Sequence, residues 1–246
     1  MLLILLFFVA MWAGAQNALA GGGSFLTLPT LMLTGMDARA ANITSCVALF
    51  PAQVATGWAG RKFSAGAGGL SMRALFAISV VGGAIGAAIL LVTPPAFFAK
   101  LVPWLVLFAT VVFTYGSFFR RPGEAQAQLP APAAGVAQFL ISVYGGYFGG
   151  GIGFLMVAAL TMAGQNVRIA SATKNVLAGV MNASAVGIFL FSPDLHWSQA
   201  LVTAAGATIG GVAGAKLLHR IPENRLRLVV VVVGVLLTIG LFQRAP

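Results

Sequence analysis

Charge is what this 246-residue chain has least of: 14 Lys and Arg, four Asp and Glu and two His leave it 7% charged, where a soluble domain carries about 25%. So few ionic groups cannot clothe a water-soluble globule of this size. With 59% hydrophobic residues and a mean hydropathy of +0.98, the chain reads as an all-α integral membrane protein. Cysteine is almost missing: Cys46 stands alone, which excludes an internal disulfide and a cysteine-based structural metal site. It reads as a small core residue. No His, Asp and Glu cluster offers a metal site, and no cofactor is implied. The net charge of +10 would suggest nucleic acid in a soluble protein. Here the cations are spread through short loops beside apolar runs, which is the positive-inside pattern, so the lipid bilayer and not nucleic acid is the expected partner. Ala18, Leu19 and Ala20 make an A-x-A pattern after the first apolar run. The basic n-region of a signal peptide is missing, and the segment is expected to stay in the mature chain.

A spanning helix needs about 20 mostly apolar residues. Six segments qualify: 41–60, 71–92, 101–119, 169–191, 197–218 and 226–242. Two longer stretches, 2–35 and 133–163, are each broken near the middle by glycines. The linker 120–135, RRPGEAQAQLPAPAAG, divides the chain near its midpoint. The expected organisation is a first transmembrane repeat over 1–119, a cytoplasmic linker over 120–135 and a second repeat over 136–246.

The halves repeat one another. An offset of 129 pairs Phe25 with Phe154, Leu31 with Leu160, Gly35 with Gly164, Arg39 with Arg168 and Thr44 with Thr173. An offset of 128 pairs Gly82, Gly83 and Gly86 with Gly210, Gly211 and Gly214. An ungapped run holding both arginines and both glycine breaks points to an internal duplication.

Loop charges orient the broken segments. If each crosses the membrane once, the loop cations divide almost evenly. If each enters and returns as a hairpin, one face holds Arg61, Lys62, Arg120, Arg121, Arg168, Arg220, Arg225 and Arg227, against Arg39, Lys100 and Arg244 on the other. The richer face is then cytoplasmic. Each half becomes a glycine-broken helical hairpin plus three transmembrane helices, an odd number of crossings. The halves are thus expected to be inverted-topology repeats, a transporter architecture, with a periplasmic N-terminus and a cytoplasmic linker.

The breaks read GGGSFLTL at 21–28 and YGGYFGGGIGFLM at 144–156. Non-helical backbone at membrane depth is tolerated only where it is buried in protein or lines a wet cavity. Helices restarting at about Ser24 and about Gly153 would present unpaired amides and positive dipole ends, which bind anions. Gly21, Gly22, Gly23 and Ser24, with Asn17 just before them, and Gly149, Gly150 and Gly151 are therefore candidate substrate contacts. Gln16, Tyr144 and Tyr147 rank below them. Gly82, Gly83, Gly86, Gly210, Gly211 and Gly214 instead suit close helix crossing.

The stretch GGGSFLTLPTL followed by RAANITS, with its second copy YFGGGIGFLMVAAL and RIASATKN, resembles the TauE/SafE family of sulfite and organosulfonate transporters, 4-toluene sulfonate uptake permease-like proteins included. The resemblance covers nearly the whole chain. It implies movement of small sulfur oxyanions or sulfonates, such as sulfoacetate, across the bacterial inner membrane, generally as export.

A helix follows each hairpin. On the first, Asn42, Ser45, Leu49, Gln53 and Thr56 share one face; on the second, the matching face is Ser171, Lys174, Ala178, Asn182 and Ala185. Gln53 and Asn182 are repeat partners near mid-membrane, placed to hydrogen-bond a sulfonate oxygen from opposite sides, or else to tie helices together. Lys174 is the sharper candidate, because a charge within a span costs about 2.5 kcal/mol or more and is functional by default. It either faces the cavity as a counter-charge or snorkels to the cytoplasmic interface. Arg39 and Arg168 end their hairpins on opposite faces and are candidate pathway entrances or interfacial anchors. Trp12, Trp58, Trp104 and Trp197 read as interface or packing residues.

An intramembrane serine enzyme is the first rival, since Gly22, Gly23 and Ser24 form a G-x-S. His196 and His219 lie in or beside loops, however, where neither reaches Ser24 as a base. The chain is therefore not expected to be an enzyme. A passive anion channel, or an uptake permease for another small organic anion, is the nearer alternative. Asp37, Glu124, Asp194 and Glu223 are all expected in loops, which leaves no buried carboxylate as a proton relay. A homo-oligomer is left open.

Overall fold

The computed structural model describes residues 2–19, 22–115, 129–217 and 223–244. Among them the chain is helical, with no strand beyond one isolated bridge between Ala67 and Leu70. The helices are α1 (Leu2–Leu19), α2 (Ser24–Leu33), α3 (Ala38–Gly60), α4 (Met72–Val92), α5 (Pro95–Thr114), α6 (Ala131–Tyr147), α7 (Ile152–Met162), α8 (Val167–Phe189), α9 (Trp197–Leu217) and α10 (Glu223–Arg244), with a short 3-10 turn at Arg61–Phe63. Each glycine break separates two helices, and three longer helices follow each pair.

Local chemistry sets these boundaries, and it does so at matching positions. The Asp37 carboxylate accepts from Arg39 N and Ala40 N at 2.9 and 3.0 Å. Its counterpart Asn166 accepts from Ile169 N at 2.9 Å. A side-chain oxygen at this position satisfies amides that the first helical turn leaves unpaired. The short helices α2 and α7 end in tight turns at Gly35 and Gly164, also partners at the same offset.

Three boundaries depart from the sequence reading. Pro95, which suits a first helical turn, opens α5 six residues before the expected 101, so Lys100 lies on a helix and not in a loop. Pro130 and Pro132 likewise open α6 at Ala131, inside the expected linker. Glu223 is the first residue of α10. Residues 116–128 and 218–222, with Arg120, Arg121, Glu124, His219 and Arg220, lie outside the described residues, and the side chains of Arg225, Arg227 and Arg244 are not described.

Packing pairs the halves crosswise. Helix α1 lies on α9 and α6 on α4; α3 packs on α9 and α8 on α4; α2 packs on α3 and α7 on α8. Interchanging the halves maps each pair onto the other. Glycines make the α1–α9 and α4–α6 crossings close. Gly86 abuts the Val143 carbonyl and Gly146 the Gly83 carbonyl, while Gly210 abuts the Met11 carbonyl and Gly14 that of Ala207. These contacts are what small residues provide in membranes, where van der Waals packing rather than the hydrophobic effect joins helices.

The central contact is between α3 and α8. Gly57 faces the main chain of Asn175, Gly60 that of Ala172, and Gly179 that of Gln53. Numbers rise along one helix as they fall along the other, so α3 and α8 run in opposite directions.

The outside of the bundle is apolar. Phe191 is 89% exposed and Trp58 67%, and Trp12, Trp104 and Trp197 are exposed as well. A large continuous apolar exterior is incompatible with water and normal against lipid. By length and composition, Met72–Val92 and Pro95–Val112 are each long and apolar enough to cross a membrane. Helices α3 and α8, of 23 residues each, are long enough, but their inward polar faces lower their mean hydropathy.

Candidate functional site

Both glycine breaks open onto one small cavity of about 50 Å3, walled by α3 and α8. Since about 10–15 Å3 of such space holds one water molecule, the cavity suits a solute of a few non-hydrogen atoms. Asn17, Gly22 and Ser24 line it from the first break, and Phe148, Gly149, Ile152 and Gly153 from the second. Helix α3 contributes Asn42, Ser45, Cys46, Leu49, Gln53 and Thr56; α8 contributes Lys174, Asn175, Ala178 and Asn182.

The backbone explains why glycine sits at the breaks. Gly22, Gly149 and Gly151 have φ of 84°, 77° and 74°, left-handed conformations that a side chain disfavours. In α2 the first amides to find partners are Phe25 N, on Gly22 O at 3.0 Å, and Leu26 N, on Gly23 O at 3.1 Å; in α7, Phe154 N reaches Gly151 O at 3.2 Å. The amides before these have no acceptor within their helices. Two helix N-termini thus bring partial positive charge to one cavity.

The glycines of the two triplets divide by role. Gly22 and Gly149 line the cavity. Gly23 instead packs on the Ala13 carbonyl, Gly150 on the Phe148 ring and Gly151 on Ala109 of α5. Gly21 lies outside the described residues. Helix α7 begins at Ile152, one residue earlier than expected.

Lys174 is buried, at 7% exposure, and lines the cavity instead of snorkelling. Among the described residues no acidic side chain lines the same space. Among the described residues, the ion pair present is Arg39 with Asp194 at 2.6 Å. A buried ammonium without a carboxylate costs several kcal/mol, and an anion in the cavity would offset that cost.

The polar face of α3 is partly engaged by its neighbours. The Asn42 side chain donates to Tyr147 O at 3.1 Å, at the end of α6. Ser45 Oγ shares a 2.6 Å hydrogen bond with Thr27 Oγ1 of α2. Gln53 and Asn182 meet, but they bond each other: Asn182 Nδ2 donates to Gln53 Oε1. The Cys46 thiol approaches Asn182 Oδ1 at 3.9 Å, so both carbonyl oxygens of the pair are engaged, while the Gln53 amide nitrogen and the second N–H of Asn182 remain as donors.

The arginines stand away from the cavity. Arg39 is held by Asp194 and donates to Thr93 O at 2.8 Å. Arg168 is exposed at the start of α8. Of the lower-ranked residues, Gln16 donates to Gly22 O at 3.4 Å and steadies the break. Tyr144 donates to Leu105 O at 3.4 Å, away from the cavity, and Tyr147 packs edge-on against Phe98.

Cys46, Asn175 and Phe148 line the cavity beyond the residues expected there. The repeat held the signal for two of them, since Cys46 and Asn175 are partners at the same offset as Gln53 and Asn182 and stand beside Ser45 and Lys174. Phe148 adjoins the glycine triplet, and no residue pattern distinguishes it from the apolar run around it.

An apolar exterior around a small polar cavity between broken helices is the architecture of an integral membrane transporter. The family model described as "Sulfite exporter TauE/SafE" matches residues 6–241, and the chain belongs to this family. Relatives carry transporter names. A "Probable membrane transporter protein" of Haemophilus influenzae is 27% identical over 242 residues, 96% of this chain and 93% of the relative. "Probable membrane transporter protein YfcA" of Escherichia coli is 28% identical over 244 residues, 97% and 88% of the two chains. "Probable membrane transporter protein ORF9" of a Sinorhizobium species is 26% identical over 245 residues, 98% and 92%. No solved structure matches the chain.

Proposed function

We propose that this protein is a secondary transporter that moves small sulfur-containing anions, sulfite or sulfonates such as sulfoacetate, across the bacterial inner membrane, as export by alternating access. The observation that carries the reading is Lys174, a buried cation that shares its cavity with two glycine-broken helix N-termini and, among the described residues, with no acid. A monoanion about 4 Å from the ammonium gains about 4 kcal/mol at an effective dielectric of about 20. Each helix terminus adds about 0.3–1 kcal/mol. The sulfur chemistry of the solute and the outward direction come from the family description.

In this reading 1–119 and 136–246 are inverted-topology repeats joined by a cytoplasmic linker, with the N-terminus periplasmic. The antiparallel contact of α3 with α8 and the crosswise pairing of the helices support it, as does the cation-rich face that the hairpin arrangement creates. Such repeats suit alternating access, one broken-helix bundle rocking against the other around a central site. Among the described residues no acid lines the cavity, and none of them supplies a carboxylate relay there.

The test is thermal stabilisation of the detergent-purified protein by sulfite, thiosulfate, sulfoacetate, taurine, sulfate and chloride, because a ligand that binds only the folded state raises its melting temperature. A selective shift with a sulfur oxyanion or sulfonate supports the reading. No shift with any anion removes it.

A further inference from the structure

We propose that the Arg39–Asp194 ion pair is the latch of one gate, that the gate at the other end has no ionic latch among the described residues, and that the resting conformer therefore keeps the Arg39 end shut. This rests on the inverted-repeat reading above. Residues 61–71 follow α3 and residues 190–196 follow α8, and each segment docks on the early turns of the opposite central helix. His196 N donates to Thr44 Oγ1 on α3 at 3.3 Å, and Ala65 N donates to Thr173 Oγ1 on α8 at 3.1 Å. Thr44 and Thr173 are repeat partners, so the two closures are built on the same plan.

Around these matched contacts the ends differ. At the first, Asp194 meets the Arg39 guanidinium at 2.6 Å. The same guanidinium donates to Thr93 O at 2.8 Å and Leu91 O at 3.4 Å. One side chain thus fastens α3, the end of α4 and the 190–196 segment together. At the second end, residues 61–71 contain no Asp or Glu and carry Arg61 and Lys62 instead. That end is held by neutral hydrogen bonds: Gln165 Nε2 donates to Ala65 O at 2.7 Å and Gly66 O at 3.1 Å, and Gly68 N to Ala163 O at 2.8 Å. Arg168, the partner of Arg39, is exposed, and no carboxylate among the described residues pairs with it.

Charge-assisted hydrogen bonds are roughly twice as strong as neutral ones. Opening the Arg39 end separates a shielded ion pair, whereas opening the other end exchanges neutral bonds for water. The central residues carry the same asymmetry. Lys174 lies toward the Arg168 end of its helix; its partner Ser45, toward the Arg39 end, is neutral and engaged by Thr27. Lys174 in the cavity and Arg168 beyond it, neither paired with a carboxylate among the described residues, therefore stand on the side with the weaker closure, where an anion would load.

Cys46, the sole cysteine, lines the cavity and reports which end admits a reagent. In proteoliposomes of known orientation holding the full chain, a small membrane-impermeant methanethiosulfonate should label Cys46 about tenfold faster from the Arg168 face than from the Arg39 face, the ratio of a bias of about 1.4 kcal/mol. Asp194→Asn should raise labelling from the Arg39 face about tenfold, toward equality, and the reversed pair Arg39→Asp with Asp194→Arg should restore protection. Ala65→Asp, 129 positions before Asp194, offers Arg168 a carboxylate and should slow labelling from the Arg168 face. That variant leaves the native pair intact and stays readable if Asp194→Asn does not fold. Equal or absent labelling from the two faces of the wild type, or an unchanged rate after Asp194→Asn, overturns the latch. The anion-dependent melting shift of the same samples reads the site separately: its loss in the wild type removes the anion reading, while the labelling contrast reads the gates.

Discussion

Asn182 on α8 donates its side-chain amide to Gln53 on α3, a residue 129 positions earlier. The two occupy the same place in the two halves of the chain. The bond therefore joins equivalent points of two antiparallel helices, next to the cavity that both glycine breaks share. Bonded together, the two amides make a cross-tie between the helices, with one N–H of Asn182 committed to Gln53.

Coupling between these residues is expected to be small and measurable. Polar pairs within membranes are worth about 0.6 kcal/mol on average and up to about 1.7. A double-mutant cycle with Gln53→Ala and Asn182→Ala should give a stability coupling in that range by reversible denaturation in detergent. A coupling near zero would mean that the two amides do not meet in the folded protein.

Lys174→Gln should abolish selective stabilisation by sulfur anions, with affinity falling about 100-fold or more, equivalent to about 2.8 kcal/mol. The melting temperature without ligand should stay level or rise, because removing an unpaired buried charge relieves a desolvation cost. Calorimetric or thermal-shift titration reads both quantities. Unchanged anion affinity would place Lys174 outside the site.

Gly86→Ala and Gly210→Ala should each destabilise by about 1–3 kcal/mol, the usual cost of overpacking, because a new methyl would meet the Val143 or Met11 carbonyl. Gly187→Ala on α8, with nothing within 4 Å of the new atom, should be neutral or stabilising by up to about 1 kcal/mol through helix propensity. Melting temperatures of the three variants decide this. Equal behaviour would count against the close crossings.

Asp37→Ala and Asn166→Ala should each lower stability by about 1 kcal/mol through loss of a helix N-cap. Their effects should add in the double variant, since the two caps sit at the starts of α3 and α8 and share no partner. Strong non-additivity would reveal a coupling that the hydrogen bonds do not explain.

Composition, apolar run lengths and the ungapped repeat were enough to read the helical class, the order of ten helices and the place of both breaks, because each is written locally along the chain. Gly22, Ser24, Gly149 and the spacing of Asn42, Ser45, Gln53, Lys174 and Asn182 were readable for the same reason: helical periodicity puts residues on one face whatever lies opposite. What lies opposite was not readable. Lys174 could have snorkelled, and its inward direction follows from where α8 packs. Gln53 and Asn182 could each have faced a solute, and their mutual bond depends on the register of two helices far apart in sequence. Arg39 and Arg168 look alike in the repeat. Whether each finds a carboxylate depends on segments that meet them only after the halves have packed crosswise; among the described residues Asp194 meets Arg39, and none meets Arg168. Periodicity acts within a helix, whereas pairing across helices is settled by long-range packing that a single pattern along the chain does not encode.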